Sequence, residues 1–442
     1  MRRVFRRILV AAVVFVPAAV VAQEPLTVGA AVQAAIAHNA SLRAARAGLD
    51  EAAARTTEAR SGFYPRLSVG EAWQRGDGPV FVFGSLLSSR QFAASNFAID
   101  ALNHPEPIGL FHMTFGVEQL IYDGGRQRAA AASASLGRDI AAAAVDQGAA
   151  GVALQTTQTF GRLIASEAAK RAADAGLESA RQDLTRAEHR RDTGMASDAD
   201  VLSLVVHVAD LQQRAIQASS EAAVARAELN RLMGAPIDAP ISAAALTPTE
   251  PPSSLGIAAL LAEADAARPE MKRAAAAARI AEKSQAQATA AVIPQIAAQA
   301  AYDLSGTRFT DRAGAWIVGG QIRWTFSTGG AELAGRRAAA AAMTRATAES
   351  EDIRALVHVD VITAVGRVES ARARETVGRA ATDQARESQR IIRDRFEQGL
   401  AGVNDVLRAS TAVLDSEANR TAAIVDLIVA DAMLRRAVGR LP

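Results

Sequence analysis

The sequence predicts a mainly α-helical protein made of very long antiparallel coiled-coil helices, with a smaller β part suited to a membrane. Three observations carry that prediction. A pattern at residues 191–234 returns at residues 395–439, with Gly194 matching Gly399, Asp200-Val201-Leu202 matching Asp405-Val406-Leu407, and Gly234 matching Gly439, a constant offset of 205. Two long stretches, residues 126–191 and 332–397, contain no proline. Four shorter segments change from helical spacing to a period of two. A constant register over whole elements argues for a duplicated unit.

The chain opens with MRRVFRR, a short apolar run, and the small residues Val20 and Ala22 ahead of Gln23. This order predicts a secretory signal peptide over residues 1–22. The apolar run is short for a spanning helix, and a retained anchor is the alternative reading. Without its four arginines the chain carries 45 basic and 47 acidic residues, a net of −2. Such a balance gives no footprint for nucleic acid. Cysteine is absent, which excludes disulfides, thiolate chemistry and a lipid carried on cysteine. An exported, cysteine-free chain fits the bacterial periplasm or outer membrane.

Residues 26–61 keep helical apolar spacing through Val28, Ala31, Val32, Ala35, Ile36, Leu42, Ala45 and Leu49, and Pro65 then turns the chain into an extended segment. Residues 255–291 repeat this helix, and Pro294 ends it at an offset of 229. The two offsets differ by 24, which places the extra residues of the first half in a long surface loop at residues 76–110. Around that loop, Leu67, Val69 and Trp73, then Phe111, Met113, Phe115, Val117 and Ile121, alternate with polar or small residues. Glu71 breaks the apolar row of the first of these segments. In the second half Ile296, Tyr302 and Leu304, then Trp316, Val318, Ile322, Trp324 and Phe326, do the same. These are four strands, each with one apolar and one polar face.

Aromatics make up only 4% of the chain, yet all three tryptophans sit on those apolar faces. Apolar-out, polar-in strands of about ten residues are what a transmembrane barrel requires, because closure satisfies every backbone group in lipid. Two soluble hairpins packed on helices would show the same alternation, which does not reveal the wet side. In the membrane reading four strands cannot close a barrel, since the smallest have about eight. Several copies must then contribute strands to one barrel.

The proline-free stretches are each about 100 Å long as helices. A tight turn and an antiparallel partner follow each. In the first partner Val201, Leu204, Val208, Leu211, Ala215, Ala218, Ala222, Ala225, Leu229 and Leu232 form a coiled-coil seam. The second keeps it at Val406, Ala409, Val413, Ala423, Leu427, Ala430, Leu434 and Ala437, interrupted by Ser416 and Arg420. A flanking row, Leu407, Leu414, Thr421 and Ile428, lets that helix pack on two neighbours, as a ring of helices needs. Domain organisation follows: a first structural repeat over residues 23–234, a Pro-rich linker over 235–254, and a second repeat over 255–442.

Taken in order, helix to Pro-led strand, strand to a Gly-Gly turn (Tyr122-Asp123-Gly124-Gly125 and Phe326-Ser327-Thr328-Gly329-Gly330), and a Gly then Asp-Val-Leu at each helix hairpin, the chain resembles the TolC-like outer-membrane efflux factor family. The resemblance covers essentially the whole mature chain. It implies a homotrimer whose twelve strands form one outer-membrane β-barrel, continued by a periplasmic α-barrel tunnel. It implies an exit duct of tripartite efflux or type I secretion systems, joined by a periplasmic adaptor to an inner-membrane transporter of RND, ABC or MFS type. No covalent chemistry and no cofactor are implied. A periplasmic coiled-coil adaptor or stalk without a barrel is the alternative.

The family narrows the periplasmic end with acidic residues after the second hairpin turn, and the matching position is Asp405. A ring of three such carboxylates would attract cations. A second acidic position falls on Arg408, the aromatic of the family's closing network falls on Phe396, which lacks a hydroxyl, and its arginine falls on Ala401. Asp200 is retained, and an Asp405–Arg408 lock is the alternative to a repulsive ring. Ser197 and Asp200 also have capping-box spacing, shared by Gly402 and Asp405, so capping alone is the alternative reading of both acids. Gly194 and Gly399 suit left-handed helix ends, and the hairpin tips over residues 193–198 and 398–404 are expected to meet the adaptor. Gly124, Gly125, Gly329 and Gly330 mark strand-to-helix turns. Trp73, Phe111, Phe115, Tyr302, Trp316, Trp324 and Phe326 are expected to face lipid. The six histidines have no metal-ligand spacing, and no nucleotide or nucleophile motif has its required flanks.

Overall fold

The computed structural model describes residues 25–246, 256–325 and 327–441. The expected signal peptide, the end of the Pro-rich linker and Phe326 lie outside the described residues. The first half runs α1 (Val28–His38), α2 (Ala40–Ser61), β1 (Arg66–Gly76), α3 (Pro79–Ser88), α4 (Ile99–Asn103), β2 (Ile108–Tyr122), α5 (Arg126–Asp192) and α6 (Asp198–Met233). The second runs α7 (Ile257–Ala267), α8 (Pro269–Ala290), β3 (Gln295–Arg308), β4 (Asp311–Arg323), α9 (Ala331–Glu397) and α10 (Val403–Ala437). Apart from α3 and α4, the halves match element for element, and α5 and α9 are both 67 residues long.

Two expectations are corrected at the start of each half. The helix predicted over residues 26–61 is α1 and α2, broken at Asn39, whose ψ of 131° leaves the helical region. Alanine-rich spacing runs through the break unaltered, so periodicity does not register it. Asn39 makes the break useful: its side-chain oxygen accepts from Ser41 N at 2.9 Å and its Nδ2 donates to Leu232 O at 3.0 Å, covering a carbonyl at the end of α6. The helix predicted over residues 255–291 likewise breaks at Arg268, extended because Pro269 follows it. Arg268 Nη1 donates to Ala437 O at 3.2 Å, at the corresponding end of α10. Gly234 and Gly439 turn with φ of +68° and +85°, and a Cβ on either would meet backbone at 2.8 Å, on His38 and Ala267 respectively.

The long helices pack as two antiparallel hairpins, α5 with α6 and α9 with α10, joined by α5 against α10. Val201, Leu204, Leu211, Ala218, Ala222, Ala225, Leu229 and Leu232 are buried along the first seam, and Val406, Ala409, Val413, Ala423, Leu427, Ala430 and Ala437 along the second. Small seam residues bring helices close: a Cβ on Gly161 of α5 would meet Val425 Cγ1 at 2.5 Å. The polar interruptions of the second seam have partners on α9. Ser416 O accepts from Thr382 Oγ1 at 3.1 Å, and the Arg420 backbone lies against Gly378. The linker is tied down where it is described, with Leu26 N donating to Ser242 O at 2.7 Å and Ala244 N to Leu26 O at 2.9 Å.

The strands form one antiparallel sheet in the order β1-β2-β3-β4. Its register places Leu67 opposite Val117, Phe115 opposite Tyr302 and Tyr302 opposite Trp316, so the apolar rows share one face. His112 opposite Ser305 and Gln299 opposite Gly319 lie on the other. One position departs from the expected alternation: the ladder passes from Leu120–Ala297 to Tyr122–Ile296, making Ile121 the extra residue of a bulge and giving Tyr122 the outward place. The loop expected at residues 76–110 is folded. It contains α3, α4 and a 3-10 turn at Ala94–Phe97, with Phe92 stacked edge-on to Phe83 at 4.7 Å and to Phe97 at 5.0 Å. Its aromatic, glycine-containing sequence carries little helical signal of its own, and this small cluster supplies the stability.

Candidate functional site: a duct wall and its hairpin tips

The sheet has two chemically distinct faces and two open edges. On the apolar face Trp73, Tyr302, Trp316, Val318, Ile322 and Trp324 are exposed in the single chain, Trp316 to 77%. Trp73 and Phe111 lie 6.4 Å apart toward one end of the strands, with Phe309 5.8 Å from Phe111. Tyr122 and Trp324 mark the other end, where Trp324 Nε1 donates to Val292 O at 3.1 Å. About ten residues of tilted strand separate the two aromatic levels, roughly the 25 Å of an outer-membrane apolar band. Phe115 lies within the band, and the expectation for Phe326 falls outside the described residues.

Glu71, the exception in the apolar row, has a partner that the sequence did not reveal. Arg312 reaches from β4 across Gly306 to Glu71 on β1, with Nη1 2.8 Å from Oε2, and its guanidinium lies over Phe309 and Phe111. The Arg312 side chain is only 9% exposed, so both charges are compensated at the rim of the apolar face. On the polar face His112 lies 3.0 Å from Ser305 Oγ and 3.1 Å from Thr114 Oγ1, and Thr114 donates to Asp303 at 2.6 Å. This network ties β2 to β3, the strands contributed by different halves of the chain.

At the strand-to-helix elbows, Gly124, Gly125 and Gly330 have φ of +69°, +91° and +71°, whereas Gly329 does not enter the left-handed region. Asp123 accepts from Gly125 N at 3.0 Å and Gln127 N at 2.6 Å, and Ser327 Oγ accepts from Gly329 N at 3.2 Å. These bonds satisfy donors at both elbows and, through Gln127 N, in the first turn of α5.

The far ends of the long helices turn alike. Gly194 and Gly399 have φ of +77° and +75°, and the residue after each donates back to the carbonyl five residues earlier, at 2.7 Å and 2.8 Å. Ser197 and Asp200 form a full capping box: Asp200 N donates to Ser197 Oγ at 3.2 Å, and Ser197 N donates to Asp200 Oδ2 at 3.1 Å. The Ser197 hydroxyl and amide together hold the Asp200 carboxyl below the usual carboxylate range. Gly402 has no side chain, so only the return bond exists there, from Gly402 N to Asp405 Oδ2 at 3.2 Å.

Asp405 and Arg408 are both exposed, and they form no ion pair within this chain among the described residues. Phe396 instead meets Arg190, whose guanidinium carbon lies 4.7 Å from the ring centre while Nη1 donates to Phe396 O at 3.5 Å. Phe396 also packs against the cluster of Ala187, Val201, Leu204 and Val403. Arg393 Nη2 donating to Ser179 Oγ at 2.5 Å, and Arg186 lying 4.0 Å from Glu397, add links between α5 and α9. Sequence reasoning missed Arg190, because its partner lies 206 residues away and no local spacing joins them. Among the described residues no cluster of three or more His, Asp or Glu could hold a metal, and no helix is long and apolar enough to cross a membrane.

The profile of the outer membrane efflux protein family matches residues 31–235 and 260–440, most of both halves. The chain belongs to the outer membrane efflux protein family. Solved structures of outer-membrane channels share its fold. The Campylobacter jejuni channel CmeC superposes with a TM-score of 0.80 at 14% identity, covering 93% of this chain and 85% of that one. The Vibrio cholerae outer membrane protein VceC gives 0.77 at 18% identity, covering 93% and 96%. The open state of the Neisseria gonorrhoeae channel MtrE gives 0.75 at 17% identity, covering 93% and 89%. No curated protein matches the sequence significantly. As an outer membrane efflux protein, the chain belongs to the outer membrane, with an extension into the periplasm.

Proposed function

We propose that three copies of this outer membrane efflux protein close a twelve-stranded barrel and a helical tunnel, and pass solutes from an inner-membrane pump to the exterior. The observation that carries this reading is the four-stranded sheet: apolar outside, hydrogen-bonded and polar inside, and open at β1 and β4. Open edges in lipid leave backbone groups unsatisfied, so the sheet needs copies of itself. The two repeats and the linker give each protomer two hairpin tips, at residues 193–198 and 398–404, for a periplasmic adaptor, with an RND, ABC or MFS transporter beneath. The chain performs no catalysis of its own. It is exported by its cleaved signal peptide, bears no lipid on cysteine, and meets lipid through Trp73, Phe111, Phe115, Tyr302, Trp316, Trp324 and Phe326. Outer-membrane fractions should contain trimers that dissociate only on heating. Extraction by salt alone would favour a stalk without a barrel.

The periplasmic end is held in this reading by Arg190 against Phe396, with three Asp405 carboxylates setting ion preference and Asp200 capping the first tip. Asp405→Asn should reduce cation selectivity in planar bilayers. Arg190→Ala should raise closed-state leak by about three-fold or more, the scale of a cation–π contact of about 0.5–1 kcal/mol. Arg190→Lys should keep part of the closure. Unchanged selectivity and leak in intact trimers would remove these residues from the gate.

A further inference from the structure

The folded loop between β1 and β2 belongs to neither repeat's common plan, and its placement is specific. It returns to the polar face of its own sheet. A Cβ on Gly76, in the inward register, would meet the Phe81 ring at 3.3 Å. Thr307, at the end of β3, donates to Gln91 Oε1 at 2.9 Å, and Arg90 Nη2 donates to Gly314 O at 3.0 Å. Ser305, on the same inward face, is only 4% exposed, and α3 packs against β2 and β3. Arg90 holds φ of +55°, a left-handed conformation that a non-glycine residue keeps only when its surroundings fix it. The loop is therefore anchored to the inner wall at the end of the strands farthest from the helices.

Four large apolar side chains on it are uncovered, among exposed polar residues such as Asp100 and Asn103. Val80 is 88% exposed and Ile99 78%, with Leu87 and Phe97 also exposed. Twelve strands about 4.8 Å apart, tilted about 40°, make a wall roughly 24 Å across between backbones. Three helices about 10 Å thick side by side need about 22 Å, nearly the whole of that width, so they are brought next to one another.

We propose that the exposed apolar edge of this loop is an interface between copies of the chain: the three α3–α4 units meet on the barrel axis and cover its outer mouth with Val80, Leu87, Phe97 and Ile99. The proposal rests on the trimeric barrel above. Its occupant is the same surface of the other two protomers, brought together by the continuity of each loop with the barrel wall. The mouth is then an apolar constriction that gates by excluding water, separate from the charged periplasmic tips.

The cysteine-free sequence makes the test direct. Val80→Cys, Leu87→Cys, Phe97→Cys and Ile99→Cys, each alone, are oxidised in intact cells, and trimers are checked first by heat modification. At least one position should give disulfide-linked protomers in high yield. In a second arm Gln299→Cys, on the inner wall, is labelled from outside with a membrane-impermeant maleimide, with and without residues 79–103 replaced by a short Gly-Ser turn. Labelling should accelerate by about ten-fold or more once the loop is gone, the ratio set by about 1.4 kcal/mol of closure. Intact trimers in which no position cross-links overturn the proposal, and so do equal labelling rates. Absence of trimers would instead count against the barrel itself.

Discussion

Arg268 shows how much one buried side chain organises. It bonds Glu270, Asp360 and the Ala437 carbonyl at once, with its own side chain 5% exposed. Burial pushes the Glu270 carboxyl up, but the hydrogen bonds and charge of Arg268 outweigh it, and the carboxyl ends below its ordinary range. A carboxylate lowered in the fold contributes stability above its unfolded value of about 4.5, and that contribution is lost as pH falls through the folded value. Arg268→Met should therefore cost about 3–5 kcal/mol at neutral pH, read by urea unfolding of helical circular dichroism. Part of that loss should disappear once pH falls below the lowered folded value of Glu270, where the carboxyl is neutral in both states. Asn39→Ala, which removes the equivalent bond in the first half, should cost less, about 1–3 kcal/mol, because no charge is stranded. Arg268 was legible as the residue aligned with Asn39, but not its role, since the carbonyl it covers lies 169 residues away.

Elements were read most securely where period and punctuation agreed. Pro65 and Pro294 before strands, Gly-Gly before long helices, and glycine at the tips each fix a backbone change that side-chain spacing alone cannot. The break at Asn39 and the fold of α3 escaped because one leaves the alanine pattern unchanged and the other depends on a local aromatic cluster. Strand parity is directly testable. Val318→Arg places a charge on the apolar face proposed to meet lipid and should cost about 2–4 kcal/mol of assembled barrel, seen as a lower trimer dissociation temperature. Gln321→Arg, on the opposite face, should leave that temperature nearly unchanged. Gly161→Leu should separate α5 from α10 at about 1–3 kcal/mol, because Val425 already occupies the space. Gly234→Ala and Gly439→Ala should lower stability by similar amounts, each meeting backbone at the same distance from a left-handed turn.

At the level of the whole molecule, each protomer is an open segment: its sheet ends in two bare strands, and its helices expose apolar residues such as Leu202, Val206 and Ile216 on α6 and Val359, Ile362 and Val377 on α9. Those faces are completed by neighbours in the trimer proposed here. The equal 67-residue lengths of α5 and α9 then acquire a further meaning. Both helices leave the same ring of elbows, so their far ends finish at one height. Deleting one heptad from α5 and its matching heptad from α6 would draw half of the tips back by about 10 Å while leaving the seam in register. Such a variant should still assemble in the outer membrane yet fail to restore export, and the same deletion in α9 and α10 should recover it. A conduit that has to seat flush against another machine can grow or shrink only evenly, which binds the two halves of the gene to change length in step.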